Sequence, residues 1–285
     1  MGLLIAVVSF SSVAATASGQ ASTSDVGEVT WSQLGADING DANSPDFGKS
    51  VAISDDGTRV VIGSPTAEEG TGELSYVQVH EWDGSAWQQL GNNITVTTTN
   101  PNLFGYSVAI SGDGNRIAVG DPYGPDGDPE IGAAETGAAP GAVRVFDWDG
   151  STWQQVGEPI EGTGAVTEDS PELFGISVAL SSNGERVVAG STLQAHAFDY
   201  DSVNGWTQAG NAFGSSDQVN AAVAISADGN RVAVGPGLLA AEVFSGEEFV
   251  LQVFDYDVSD GWIQVGSDIA EEQAIKGFSV AMSAD

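Results

Sequence analysis

The chain has 285 residues, 40 of them acidic and 7 basic, giving a net charge of −33, with no cysteine, 38 glycines and 10 prolines. Seven cations cannot supply the basic footprint that nucleic-acid binding needs, and without cysteine neither a disulfide scaffold nor a Cys-ligated zinc or iron–sulfur site can be built. Wholesale disorder is disfavoured by 41% apolar residues and seven tryptophans, and helix by the abundance of Gly, Val and Thr.

In chain order, residues 2–8 (Gly-Leu-Leu-Ile-Ala-Val-Val) form a short apolar run. Ala15-Thr16-Ala17 then offers an A-x-A cleavage form. The expectation is a signal peptide over 1–17, a linker over 18–30 and a secreted or cell-surface protein. The absence of Lys and Arg before the apolar run leaves a signal anchor and a plain apolar N-terminus open. No other segment approaches membrane-spanning length.

From Trp31 onward the chain repeats itself, and that decides the fold reading. A phrase Ser-Val-Ala-Ile-Ser stands at Ser50 and Ser107 and recurs with one change each at Ser177 (Leu fourth), Ala222 (Ala first) and Ser279 (Met fourth). A turn phrase follows at fixed distance: Asp56-Gly57-Thr58-Arg59, Asp113-Gly114-Asn115-Arg116, Asn183-Gly184-Glu185-Arg186 and Asp228-Gly229-Asn230-Arg231. Next come an apolar run ending in Gly63, Gly120, Gly190 or Gly235, and an alternating run closing on aromatic and acid, as in Val143–Gly150. The last phrase is Trp-x-Gln-x-Gly at Trp31, Trp87, Trp153, Trp206 and Trp262. Each phrase is a strand signal, and Asx-Gly between the first two predicts a hairpin, because Gly, Asn and Asp tolerate positive φ.

Four-stranded meanders repeated at 45–70 residues predict an all-β chain, a β-propeller of four-stranded antiparallel blades; a stacked solenoid is the alternative. The expected division is an orphan outer strand at 31–38, blades at 47–98, 104–165, 174–212 and 219–270, and the start of a fifth at 277–285. Asp285 aligns with Asp56 and Asp113, one residue before their glycine. The expectation is therefore a fragment: an incomplete, open arc of four full blades plus partial ones.

Phe47-Gly48, Phe104-Gly105 and Phe174-Gly175 precede the first strand, and Gly63-Ser64-Pro65, Gly120-Asp121-Pro122 and Gly235-Pro236 follow the second. With these marks the chain resembles the FG-GAP repeats of the integrin α-subunit propeller type, and more closely the bacterial and algal surface-protein branch with its Trp-Asp-Gly-Ser-x-Trp phrase. The resemblance covers residues 31–285, with Asn220-Ala221 and Gly277-Phe278 departing from it. It implies a propeller that binds or adheres through one rim. The calcium loops of that family do not carry over, because Arg59, Arg116, Arg186 and Arg231 stand where the acid series would be. Those arginines are expected to pair with a neighbouring acid or carbonyl.

Candidate metal ligands lie elsewhere. Asp37, Asn39, Asp41, Asn43 and Asp46 alternate as oxygen ligands of a Ca2+ loop would, without its glycine or final glutamate, and Asp126, Asp128 and Glu130 form a second acidic loop. A solvated acidic surface is the alternative for both. Asn93-Ile94-Thr95 is a glycosylation sequon. His80 and His196 fall in the third-strand phrase and are expected to be packing residues. No catalytic set is assembled, and the chain is expected not to be an enzyme. The function expected is a secreted or cell-surface binding or adhesion module for a protein, a glycan or a cation-bridged surface. An acidic structural surface-layer or matrix protein is the alternative, and a propeller glycosidase or lyase a further one.

Overall fold

A computed structural model of the chain describes residues 32–40, 46–65, 75–96, 103–124, 140–163, 172–214, 220–236, 250–270 and 279–283. Among them there is no helix, and all the regular structure is antiparallel sheet. The first sheet runs β1 (Ser50–Ile53), β2 (Arg59–Ser64), β3 (Tyr76–Trp82), β4 (Trp87–Gln89). The second runs β5 (Ser107–Ile110), β6 (Arg116–Asp121), β7 (Ala142–Trp148), β8 (Trp153–Gln155), with β9 (Ile160–Glu161) also on β7. The third is β10 (Ser177–Leu180), β11 (Arg186–Gly190), β12 (Ala195–Asp201), β13 (Gly205–Gln208). The fourth is β14 (Asn220–Ile225), β15 (Arg231–Pro236), β16 (Val250–Asp257), β17 (Gly261–Gln264), with β18 (Ile269–Ala270) on β16. Each is a meander of sequence neighbours, so every hydrogen-bonded pair is local in the chain.

The register repeats with the sequence. Ser50 faces Gly63, Ser107 faces Gly120 and Ser177 faces Gly190. The second strands are apolar without alternation because both of their faces are covered: Val60, Val61 and Ile62, like Ile117, Ala118 and Val119, are buried. The cores lie between sheets rather than within them. Val61, Val77, Val79 and Ile94 of the first sheet pack with Phe104, Val108, Ile110, Ile117 and Phe146 of the second. The same facing pattern joins the second sheet to the third and the third to the fourth. Phe104 and Phe174, the aromatics of the Phe-Gly marks, are wholly inside these interfaces.

Residues 32–37 do not form the continuous outer strand expected over 31–38; a single bridge forms at Ile38, and Trp31 lies outside the described residues. The segment nevertheless takes the place that a preceding repeat would fill. Ile38 packs with Val60 and Ile62, and Trp87 Nε1 donates to the Leu34 carbonyl at 3.0 Å. Trp153 does the same to Leu90, Trp206 to Val156 and Trp262 to Ala209. Residues 279–283 of the expected fifth repeat have no strand pairing.

Candidate functional site: the loop end of the inner strands

The first strand of each repeat lies beside the first strand of the next, and the two ends of this inner row differ. At one end sit the Asx-Gly hairpins. Ser54 Oγ donates to Asp56 Oδ1 (2.7 Å), which also accepts from Thr58 N (2.9 Å), and Arg59 N returns a bond to Ser54 Oγ (3.0 Å). The third position holds φ +71° at Gly57, a left-handed conformation that glycine adopts at no steric cost. The turns are then sewn to one another: Asp55 N donates to Gly112 O, Gly112 N to Ser182 O and Ser182 N to Ala227 O, at 2.8–3.0 Å. Ser182 Oγ reaches Asp55 across the intervening repeat at 2.7 Å.

The four turn arginines complete that end. Arg59 binds Glu81, Arg116 binds Asp147, Arg186 binds Asp199 and Arg231 binds Asp255. Arg116 also donates to Gly184 O (2.9 Å) and Arg186 to Gly229 O (2.8 Å) of the next repeat, and Arg59 bonds Gly114 O and Asn115 likewise. The Arg116 and Arg186 guanidiniums lie over the Tyr200 and Tyr256 rings at 4.9 and 4.1 Å. All four arginines are therefore ion-paired and three of them, Arg59, Arg116 and Arg186, are also carbonyl-bound, where the sequence suggests an acid or a carbonyl.

At the other end the inner strands begin and the second strands finish. Every connection longer than a hairpin leaves and re-enters the sheets here, including 65–75, 122–141, 162–173 and 237–249. A groove of about 410 Å³ opens at this end. Its wall is one residue taken from each copy of the repeated phrase, Val51, Val108, Val178, Val223 and Val280. Lys49 and Tyr106 stand at its mouth, and the Lys49 ammonium sits 5.4 Å from the centre of the Tyr106 ring. Three serines of the lining are occupied: Ser50 Oγ donates to Gly105 O and Ser107 Oγ to Gly175 O at 2.8 Å, and Ser177 Oγ accepts from Val223 N at 3.2 Å. Burial raises the Tyr106 hydroxyl above its ordinary range.

A buried acid ends β6. Asp121 stands where the equivalent turns carry Ser64 and Ser191, and it is fully enclosed. Its carboxylate is surrounded by the amides of Leu103, Gly124 and Tyr123, yet neither oxygen reaches good hydrogen-bond geometry. Burial pushes its pKa up to about 6 against the opposing pull of Arg144. Arg144 shares its face of the sheet, since Asp121 pairs with Ala142 and Val119 with Arg144.

Of the metal ligands nominated from sequence, Asp37, Asn39 and Asp46 are described, and each makes a separate contact. Asp37 accepts from Gln33 Nε2 at 2.7 Å, the Asn39 side chain turns back to the Asp37 carbonyl, and the Asp46 carbonyl accepts from Lys49 N. Asp41, Asn43, Asp126, Asp128 and Glu130 lie outside the described residues, and among the described ones no three His, Asp or Glu side chains converge to hold a metal ion. Asn93 is exposed, with its oxygen accepting from Gln78 and Gln89. His80 is a buried packing residue: Nε2 meets Gln78 Oε1 at 3.0 Å, and burial lowers its pKa. His196 is packed between the rings of Phe174 and Phe198, its pKa also lowered chiefly by burial. Sequence reading passed over Lys49, Tyr106 and Asp121. Lys49 and Tyr106 share one repeat position, which holds Ile176, Ala221 and Phe278 in the other copies, so no consensus marks them, whereas Asp121 stands where Ser64 and Ser191 do.

No family model matches the chain, and no curated protein does. Among solved structures it is similar to a protein of unknown function from Desulfotomaculum acetoxidans, with TM-score 0.51 and 15% identity over 83% of this chain and 59% of that one. The chain thus spans less than two thirds of that protein's length, and the likeness is one of fold. Weaker similarity reaches a proposed 6-phosphogluconolactonase from Bacteroides uniformis (TM-score 0.47, 16% identity, 87% of this chain and 77% of that one). It also reaches a proposed TolB from Agrobacterium tumefaciens (TM-score 0.45, 12% identity, 84% and 70%).

Proposed function

We propose that this chain is a secreted or cell-surface binding module built as a β-propeller of FG-GAP-like repeats, and that it takes a protein or glycan partner at the loop end of the inner strands. The propeller reading rests on four meander sheets whose first strands lie side by side and whose faces pack in succession. The binding reading rests on one observation, the segregation of the two ends. The hairpin end is short, repeated and cross-bonded. From the other end leave the long connections, which differ in length and sequence between repeats, and a groove opens at that end. Function placed on a rigid scaffold takes this form, because loop length can change without disturbing the sheets.

The test is binding of the whole chain to arrays of immobilised glycans and extracellular proteins, with and without millimolar calcium. Replacing residues 66–74 by a neutral linker should reduce binding at least tenfold. The control, Asp83→Asn in a hairpin at the opposite end, should leave binding unchanged. Equal losses from both variants, or from neither, would remove the assignment to the loop end.

A further inference from the structure

We propose that the loop-end groove is a small-molecule site for a free aliphatic carboxylate, with the alkyl chain against the valine wall and the carboxylate on the Lys49 ammonium. The inference goes beyond the binding reading above and stands without it, because it uses only the side chains that line the groove.

The groove has an apolar length and one charged end. Its volume of about 410 Å³ lies in the range of small-molecule sites, roughly 300–1,000 Å³. A valine from each copy of the repeated phrase lines it, joined by Ile176. Val51 keeps 48% exposure there, an aliphatic side chain that an alkyl ligand would take out of water. Lys49 is the one charged residue of the lining, and it forms no ion pair among the described residues. Asp46, three residues before it, meets it only through its carbonyl, which accepts from the Lys49 amide. The ammonium rests instead on the Tyr106 ring, 5.4 Å from its centre. A charge-assisted hydrogen bond to a carboxylate outweighs that contact, so the lysine gains by turning from ring to ligand. The Tyr106 hydroxyl, also without a hydrogen bond among the described residues, is kept protonated by burial and adds a second donor at the same mouth. Other ligand classes fit this lining less well. A cation would meet Lys49, and a sugar would find Ser50, Ser107 and Ser177 already bonded to the backbone. The net charge of −33 opposes an anion only at a distance. At about 0.15 M salt, charges beyond roughly 8 Å of the head group are screened, and the adjacent ammonium prevails.

The probe is hexanoate, titrated against the whole chain at neutral pH and about 0.15 M sodium chloride, and followed by the NMR signals of the Tyr106 ring. Hexanol and hexylammonium share its chain and lack its head group; acetate has the head group without the chain. Hexanoate should bind about tenfold more tightly than each of the three, since only it uses both parts of the groove. Lys49 is exposed, so Lys49→Gln leaves the fold intact. That variant should weaken hexanoate about fivefold or more and leave hexanol unchanged. Val51→Thr, which keeps the branched shape and adds a hydroxyl, should weaken hexanoate by about two- to threefold. Both variants are checked for a melting curve like the parent's. Hexanol, hexylammonium or acetate binding as tightly as hexanoate would overturn the proposal. So would undiminished hexanoate affinity in either variant, or no hexanoate binding to the parent at millimolar concentration. None of these results bears on the array test, which turns on residues 66–74.

Discussion

At the scale of the residue, the acids of this chain have opposite tasks. Asp83 is exposed at a hairpin, where the Ser85 hydroxyl and the Ala86 and Ser85 amides hold its pKa down to about 2. A carboxylate with a depressed pKa stabilises the fold above its unfolded value and loses that contribution as pH falls through the folded one. Asp121 has the reverse sign. Its folded pKa of about 6 exceeds the ordinary 3.8, so its contribution is fully present below about pH 4 and is lost as pH rises through 6. At neutral pH it is a buried charge with poor partners, and we expect Asp121→Ser, the residue of two sister turns, to stabilise the protein on the order of 2 kcal/mol at pH 7.5 and much less at pH 4. Thermal melts of both proteins at the two pH values decide this; an equal gain at both would show that Asp121 does not titrate between them.

At the scale of the element, repeats are joined by three devices that recur in register: the arginine at the hairpin, the Trp indole on the preceding backbone, and the Ser–Gly contact at the loop end. Arg116 and Arg231 occupy the same repeat position but different surroundings. Arg116 is paired, bonded to Gly184 O and stacked on Tyr200, with 16% side-chain exposure, whereas Arg231 has its ion pair with 51% exposure. Arg116→Ala should therefore cost about 2 kcal/mol, read from urea midpoints, through the unpaired carbonyl and the lost packing. Arg231→Ala should leave the midpoint almost unmoved. A similar loss from both would mean that the ion pair, not the inter-sheet contact, carries the stability. Gly120 tests the loop-end contact. A Cβ there would strike the Gly175 carbonyl and Ser107 Oγ, two groups bonded to each other across the interface. We expect Gly120→Ala to destabilise by about 3 kcal/mol, whereas Gly190→Ala, whose counterpart repeat lacks the Phe-Gly mark, should cost less.

At the scale of the whole molecule, −33 charges on a 29.1 kDa chain repel one another, and folding brings them closer. The melting temperature should rise by several degrees between about 10 mM and about 1 M sodium chloride, as screening shortens to roughly 3 Å. Calcium at matched ionic strength should add to that only if carboxylates converge on it. Calorimetry in the two salts separates diffuse screening from site binding; a flat response to sodium chloride would show that the acids lie too far apart to repel.

The strands, their order within each sheet, the hairpins with Gly57 and its repeats, and the burial of the second strand were all legible in the sequence. Each depends on contacts a few residues apart and was written four times over, so local propensity and repetition agree. Even the carbonyl partners of the arginines could be anticipated in kind, since a guanidinium beside a turn meets little else. The continuous strand expected at 31–38 was not found over the described residues 32–37, which have no strand described beside them; Leu34 is held instead by Trp87, and Ile38 packs on Val60. The groove was legible only in part. Its valines recur with the repeated phrase, whereas Lys49 and Tyr106 share a repeat position that holds a different residue in every copy. What brings them together is the side-by-side placement of inner strands from successive repeats, which inter-sheet packing sets. The sequence by itself determined the repeat unit and its turns. Only the tertiary structure decided which end of the units is closed by cross-bonded hairpins and which is open, because that depends on contacts between residues that are neighbours in space alone.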